Sequence, residues 1–166
     1  MVRAVMLMLG PLLVALANDF GTSIAVSGQL AAATFVTLGI TAPLVGPISD
    51  TYGRRPVLLI GVLLMALGVL GSGAAWSYGS LMATRLITGV GLAMLPPTIM
   101  AALADNLPPE KVGKTVGFIH SASWVGVALG VPAIALLGYI GGWRLPFYVT
   151  GGLSLALWVP LYLSLP

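Results

Sequence analysis

The side chains able to do chemistry are few and scattered. The chain holds seven Lys and Arg, four Asp and Glu, one His and no cysteine. The densest group lies in Gly46-Pro47-Ile48-Ser49-Asp50-Thr51-Tyr52-Gly53-Arg54-Arg55, where a carboxylate precedes a glycine turn and two arginines. Gly53 lets the backbone reverse tightly. Asp50 can pair with an arginine or accept from the start of a following helix. Gly46 leaves room for another helix to approach. A run of loop cations alone would account for Arg54 and Arg55, but not for Asp50 and the two spaced glycines. Arg85 lies between two long apolar runs, where a central charge costs at least about 2.5 kcal/mol. It must face a bundle interior or water, or snorkel to an interface. His120 is the one histidine, a residue type that suits a proton relay as well as polar packing. Trp124, deeper in the same run, is its companion as a candidate cavity residue. The sequence contains no carboxylate pair at membrane depth, no Ser-His-Asp set, no metal-ligand cluster and no Walker pattern. Neither an enzyme nor ATP-driven transport is expected, and neither a metal site nor a cofactor.

The setting of these residues is apolar. Of 166 residues, 58% are hydrophobic and 7% charged, and the mean hydropathy is +1.07. A soluble domain carries roughly 25% charged residues, so this chain cannot cover a water-facing surface. Disorder needs the opposite composition. The 22 glycines show no three-residue period, which excludes collagen. An integral membrane protein in a lipid bilayer remains.

Charge positions count the crossings. Charge-free runs cover 4–18, 20–49, 56–84, 86–104, 115–143 and 145–166, and a membrane helix needs about 20 apolar residues. Six helices are expected near 2–17, 24–48, 56–74, 79–103, 114–137 and 144–164. Turn chemistry separates them, as at Asn18 to Gly21, Pro108-Pro109 and Gly141-Gly142. Ser23 and Ser80 are N-cap candidates. The first run is short, reaching only about 22 Å at about 1.5 Å per residue. On its own, Arg3 followed by an apolar run and Ala15-Leu16-Ala17 also fits a secretory signal. Ten-residue alternation, which a barrel would need, is absent.

Basic residues in short loops give the orientation. With six crossings, Arg3, Arg54, Arg55, Lys111 and Lys114 share one side and Arg144 takes the other. Both termini are then cytoplasmic in a multi-pass protein of the plasma (inner) membrane. So few and dispersed cations do not suggest nucleic-acid binding. Glycines along the third to fifth helices offer close backbone approach, the main source of helix association in lipid.

These residues reach a family. Gly46, Asp50, Gly53, Arg54 and Arg55, between the second and third helices, resemble motif A of the major facilitator superfamily at every position. Arg85-Leu-Ile-Thr-Gly89-Val-Gly91 resembles motif B. Gly126-x-x-x-Gly130-Val131-Pro132 resembles the antiporter motif C, although Val131 separates a Gly-Pro pair that is usually adjacent and the later glycines are lacking. The resemblance covers nearly the whole chain.

The resemblance implies an all-α membrane protein, with six transmembrane helices as two inverted three-helix repeats. Residues 1–166 would be the N-terminal half of a twelve- or fourteen-helix transporter, its first helix truncated. It further implies a secondary transporter working by alternating access, with proton-coupled export of small organic molecules such as drugs or sugars. Motif A and Asp105 would form a gating charge cluster, and Arg85, Gly89 and Gly91 would serve proton coupling or anion contact. Gly126, Gly130 and Pro132 would mark efflux by antiport, as in multidrug resistance. The implied partners are a small-molecule substrate, a proton and a second six-helix half. The alternative function is a non-transporting fragment or assembly module.

Overall fold

The computed structural model describes residues 2–164, the last of these in backbone only. The described residues form helices and no strand. The first crossing is broken. Helix α1 (Val2–Leu7) and helix α2 (Leu13–Asp19) are joined by a 3-10 turn at Gly10–Leu12. Pro11 lacks an N–H and crowds the preceding turn, so the ladder tightens there. The remaining helices are α3 (Ile24–Tyr52), α4 (Arg54–Gly73), α5 (Tyr78–Asn106), α6 (Pro109–Gly141) and α7 (Arg144–Ser164). With α1 and α2 counted together, six helical segments are long and apolar enough to cross a membrane.

Local chemistry sets the ends. Ser23 caps α3, its Oγ accepting from the Val26 N–H at 3.1 Å. At α5 the cap is Ser77 rather than Ser80. The two serines form a reciprocal box, each side chain accepting from the other's N–H at 3.1 Å, so Ser80 is the third residue of the helix. Helix α6 begins at Pro109, five residues before the expected start, because a proline fits a first helical turn whose N–H groups have no helical partner. Helix α3 runs past residue 48 to Tyr52. Its end and the start of α4 are separated by Gly53 alone, at φ +89°. A residue with a Cβ would be strained in that left-handed region.

Helices α4 and α5 lie side by side at the centre; α7 packs on α4, α3 on α5, and α1 on α6. Numbering the crossings one to six, exchange of the first three with the last three turns the α3–α5 pairing into the α6–α1 pairing. It leaves the α4–α7 pairing in place. These two pairings follow the relation that two inverted repeats require, whereas the most extensive one, α4–α5, would map onto α7 with α1 and has no counterpart of similar extent among the described residues. The buried core runs through Met8, Leu12, Leu16, Met65, Val69, Leu92 and Phe147.

Two glycines show how close the helices come. A Cβ on Gly91 of α5 would strike the Met65 backbone of α4, and one on Gly68 would lie 2.5 Å from Thr88 Oγ1. By contrast α3 and α6 present most of their length outward, with Phe35, Ile40 and Leu44 exposed on one and Phe118, Leu129 and Tyr139 on the other.

Candidate functional site

One end of the bundle carries a bridged charge cluster. Arg54, the first residue of α4, donates through Nε to Asp105 Oδ2 at 3.0 Å and through Nη1 to Asp50 Oδ1 at 2.5 Å. Nη1 also reaches Ser49 Oγ at 2.5 Å. The one-residue turn at Gly53 sets Arg54 one helical turn past Asp50, and the packing of α5 brings Asp105 alongside. Arg55 points elsewhere. Its Nη2 donates to the Tyr162 carbonyl at 3.0 Å, and Tyr162 stacks on Trp158, whose Nε1 donates to the Leu59 carbonyl. Arg55 thus fastens α4 to the end of α7. Gly46 meets no atom of the chain within 4 Å of where a Cβ would sit, so its face of α3 is open.

Arg85 lies where α4, α5 and α7 meet, only 1% exposed. Its Nε and Nη2 donate to Ser72 Oγ at 3.0 and 2.6 Å, and Nη2 to Thr88 Oγ1 at 3.1 Å. The guanidinium lies 5.2 Å from the Phe147 ring centroid. Hydroxyls and an aromatic face hold this cation, and no carboxylate of the described residues pairs with it. It does not snorkel to an interface. Of the other motif B positions, Gly89 lets α5 approach α3, since a Cβ there would lie 2.7 Å from the Thr34 carbonyl oxygen.

On α6, Gly130 approaches Ala4 of α1, while Gly126 faces open space and Pro132 interrupts the ladder inside the helix. His120 and Trp124 turn towards α1. Arg3 Nη2 donates to His120 Nδ1 at 2.6 Å, and the Arg3 guanidinium lies 4.7 Å from the Trp124 ring centroid. Arg3, expected on the same side as the loop cations, stands at the start of α1 with its guanidinium beside His120 of α6. Beside it opens a cavity of about 390 Å³, walled by Met6, Pro96, Ile99, Met100 and Ser123.

The opposite end has a latch that sequence reasoning missed. Asp19 Oδ2 accepts from Trp143 Nε1 at 3.0 Å and from Arg144 Nη1 at 3.3 Å. Arg144 Nη2 also donates to the Ala75 carbonyl at 3.2 Å. Three turns are tied together there, after α2, after α4 and before α7. Trp143 meets Phe147 edge-on at 5.9 Å, so the latch abuts the ring beneath Arg85. The one acidic residue and the one loop cation of that end were the available signal. The hydroxyls of Ser72 and Thr88 gave none.

A bundle of six apolar crossings, with charges held at its two ends and in its interior, defines an integral multi-pass membrane protein. The Major Facilitator Superfamily profile matches residues 1–166, and the chain belongs to that family. It is 26% identical over 163 residues to the MFS-type transporter YybF of Bacillus subtilis (strain 168), covering 98% of this chain and 40% of that protein. It is 35% identical over 119 residues to the 3-(3-hydroxy-phenyl)propionate transporter of Escherichia coli (strain K12), covering 70% and 28%. It is 29% identical over 141 residues to the chloramphenicol resistance protein of Streptomyces lividans, covering 85% and 36%. The chain thus spans well under half the length of these relatives. The first two of these relatives are named as transporters.

Proposed function

We propose that this chain is the N-terminal six-helix half of a secondary transporter that exports small organic molecules by alternating access, coupled to protons. The observation that carries this reading is Arg54 bridging Asp50 and Asp105 across two helices. The cluster is exposed, so it can make and break contacts as a second half rocks against it. The open faces of α3 and α6, with Gly46 and Gly126 unopposed, are where that second half seats. Arg85, Gly89 and Gly91 serve coupling, and His120 and Trp124 line the path. The resistance named for the Streptomyces relative supports export. The excess of Arg54, Arg55, Lys111 and Lys114 over Arg144 supports both termini in the cytoplasm, in the inner membrane.

The test is transport by the longer protein with and without an imposed pH gradient, for wild type and Asp50→Asn. The expected result is gradient-dependent efflux that falls in the variant while the amount inserted in the membrane is unchanged. Efflux at the wild-type rate in Asp50→Asn would remove the gating role. No transport by any length of the protein would leave the assembly module as the better account.

A further inference from the structure

Three features meet at one wall of the α1–α5–α6 cavity. The first is a cation without a counter-charge. Among the described residues, no carboxylate lies within ion-pair distance of Arg3. Its one side-chain partner is His120 Nδ1, which accepts and is therefore unprotonated on that atom. The rest of the guanidinium fork has no partner in the described chain. The second feature is position along α6. His120 lies eleven residues into α6 from Pro109, or roughly 16 Å along the axis at about 1.5 Å per residue. Arg3 therefore reaches the flank of α6 about three turns from that helix's start, away from the loop before it. The third is the surroundings: cavity walls of Met6, Pro96, Ile99 and Met100, and, just outside that lining, the Trp124 ring against the guanidinium.

We propose that this corner is the binding point for the carboxylate of a small organic acid with an apolar or aromatic body. The carboxylate would take the free donors of the Arg3 fork, for which its geometry is matched. The body would lie against Trp124 and the apolar wall. Other ligand classes fit less well. An organic cation would be repelled by Arg3. A neutral sugar would leave its hydroxyls unpaired against apolar walls. A second cavity of equal size, about 390 Å³ beside Leu58, Met65 and Leu157, has no charged lining residue and supplies the internal contrast. This inference rests on the transporter reading and names the substrate class of its cavity.

The experiment compares 3-phenylpropionate with 3-phenylpropanamide, which has the same body and no charge. Binding is measured by equilibrium dialysis on the purified chain in neutral detergent free of anionic lipid, so that headgroup phosphate cannot occupy the site. The acid should bind at least about tenfold more tightly than the amide. Arg3→Gln should abolish that preference and Arg3→Lys should keep most of it. Trp124→Leu should weaken acid and amide together, which shows where the body lies. Equal binding of acid and amide by the wild-type protein overturns the proposal, as does absence of acid binding. Retention of the preference in Arg3→Gln overturns it as well. Should Arg3→Gln fail to give a helical, monodisperse protein, the wild-type comparison and Trp124→Leu still decide. Failure here is separable from failure of the transporter reading. Gradient-driven efflux of a neutral compound by the longer protein, with no acid preference in the chain, removes the carboxylate site and leaves alternating access standing.

Discussion

Arg54 and Asp105 meet at 3.0 Å although 51 residues separate them. Asp105 is well exposed, as is Asp50 on the other side of the guanidinium, and Arg54 itself is partly exposed. Exposed ion pairs add little to stability and are screened by salt. Bundle integrity is therefore a poor explanation for the cluster, and a conformation-dependent contact is a better one. Asp105→Asn should lower transport by the longer protein about fivefold or more, the usual scale of a conformational bias. The unfolding midpoint of the purified chain should stay at the wild-type value. A variant that melts earlier and transports in proportion to its folded fraction would make the cluster structural.

Arg85 should show the reverse pattern. Ser72 and Thr88 each donate to a carbonyl of their own helix, Gly68 and Thr84, so neither hydroxyl depends on the arginine for a partner. Arg85→Met fills similar volume, leaves no orphaned hydroxyl and removes a buried charge, so stability should hold or rise. Arg85→Lys keeps the charge but loses the fork that spans Ser72 and Thr88 and the plane that lies over Phe147. It should cost about 1.5–3 kcal/mol, the scale of a hydrogen bond to a charged group. Denaturant titration in detergent, followed by far-ultraviolet circular dichroism, separates the two. A lysine variant more stable than the methionine variant would contradict the hydrogen-bonding account.

What the sequence made legible follows from the same physics. Long charge-free runs fix the number of crossings, because lipid forces each backbone into helix. The signature of Asp50, Gly53 and Arg54 is local, so spacing suffices to bring those side chains together. Depth and facing are another matter. Helices apolar on all sides have no stripe that says which way Arg85 points, so its pocket of Ser72, Thr88 and Phe147 was unreadable. Arg3 and His120 lie 117 residues apart, and only the packing of α1 on α6 joins them. Ser80 gave the right turn but the wrong cap, because Ser77 three residues earlier offers the same chemistry. Asp19 was legible as part of the turn at Asn18 to Gly21, while its bonds to Trp143 and Arg144 depend on how three turns converge.

Glycine substitutions should sort the bundle's inner contacts from its open faces. Gly91→Ala forces a methyl into the Met65 backbone, and no flexible side chain can yield there. Overpacking of that kind costs about 1–3 kcal/mol. Gly126→Ala meets nothing in this chain and adds a better helix former, so the isolated chain should be unharmed or slightly stabilised. In the longer protein the proposed seating of a second half on the open face of α6 predicts that the same alanine impairs transport or assembly. Thermal unfolding of both variants in the chain, together with transport by the longer protein, provides the comparison. A Gly126→Ala variant silent in both would argue that α6 faces only lipid there.

Sidedness can be read directly, since the chain has no cysteine to remove. Single cysteines at Asn18, Thr51 and Lys111 lie on exposed positions near helix ends. The Asp19–Arg144 latch marks one end of the bundle and the Arg54–Asp105 bridge the other. Removing Arg3 from the loop count still leaves Arg54, Arg55, Lys111 and Lys114 against Arg144, so the orientation argument keeps its sign. In intact cells a membrane-impermeant maleimide should label Asn18→Cys. It should label Thr51→Cys and Lys111→Cys only after permeabilisation. Reversed labelling would invert the orientation while preserving the fold. Labelling of Thr51→Cys and Lys111→Cys from opposite sides would be fatal to the six-crossing count itself, because α4 and α5 together must return the chain to the side it left.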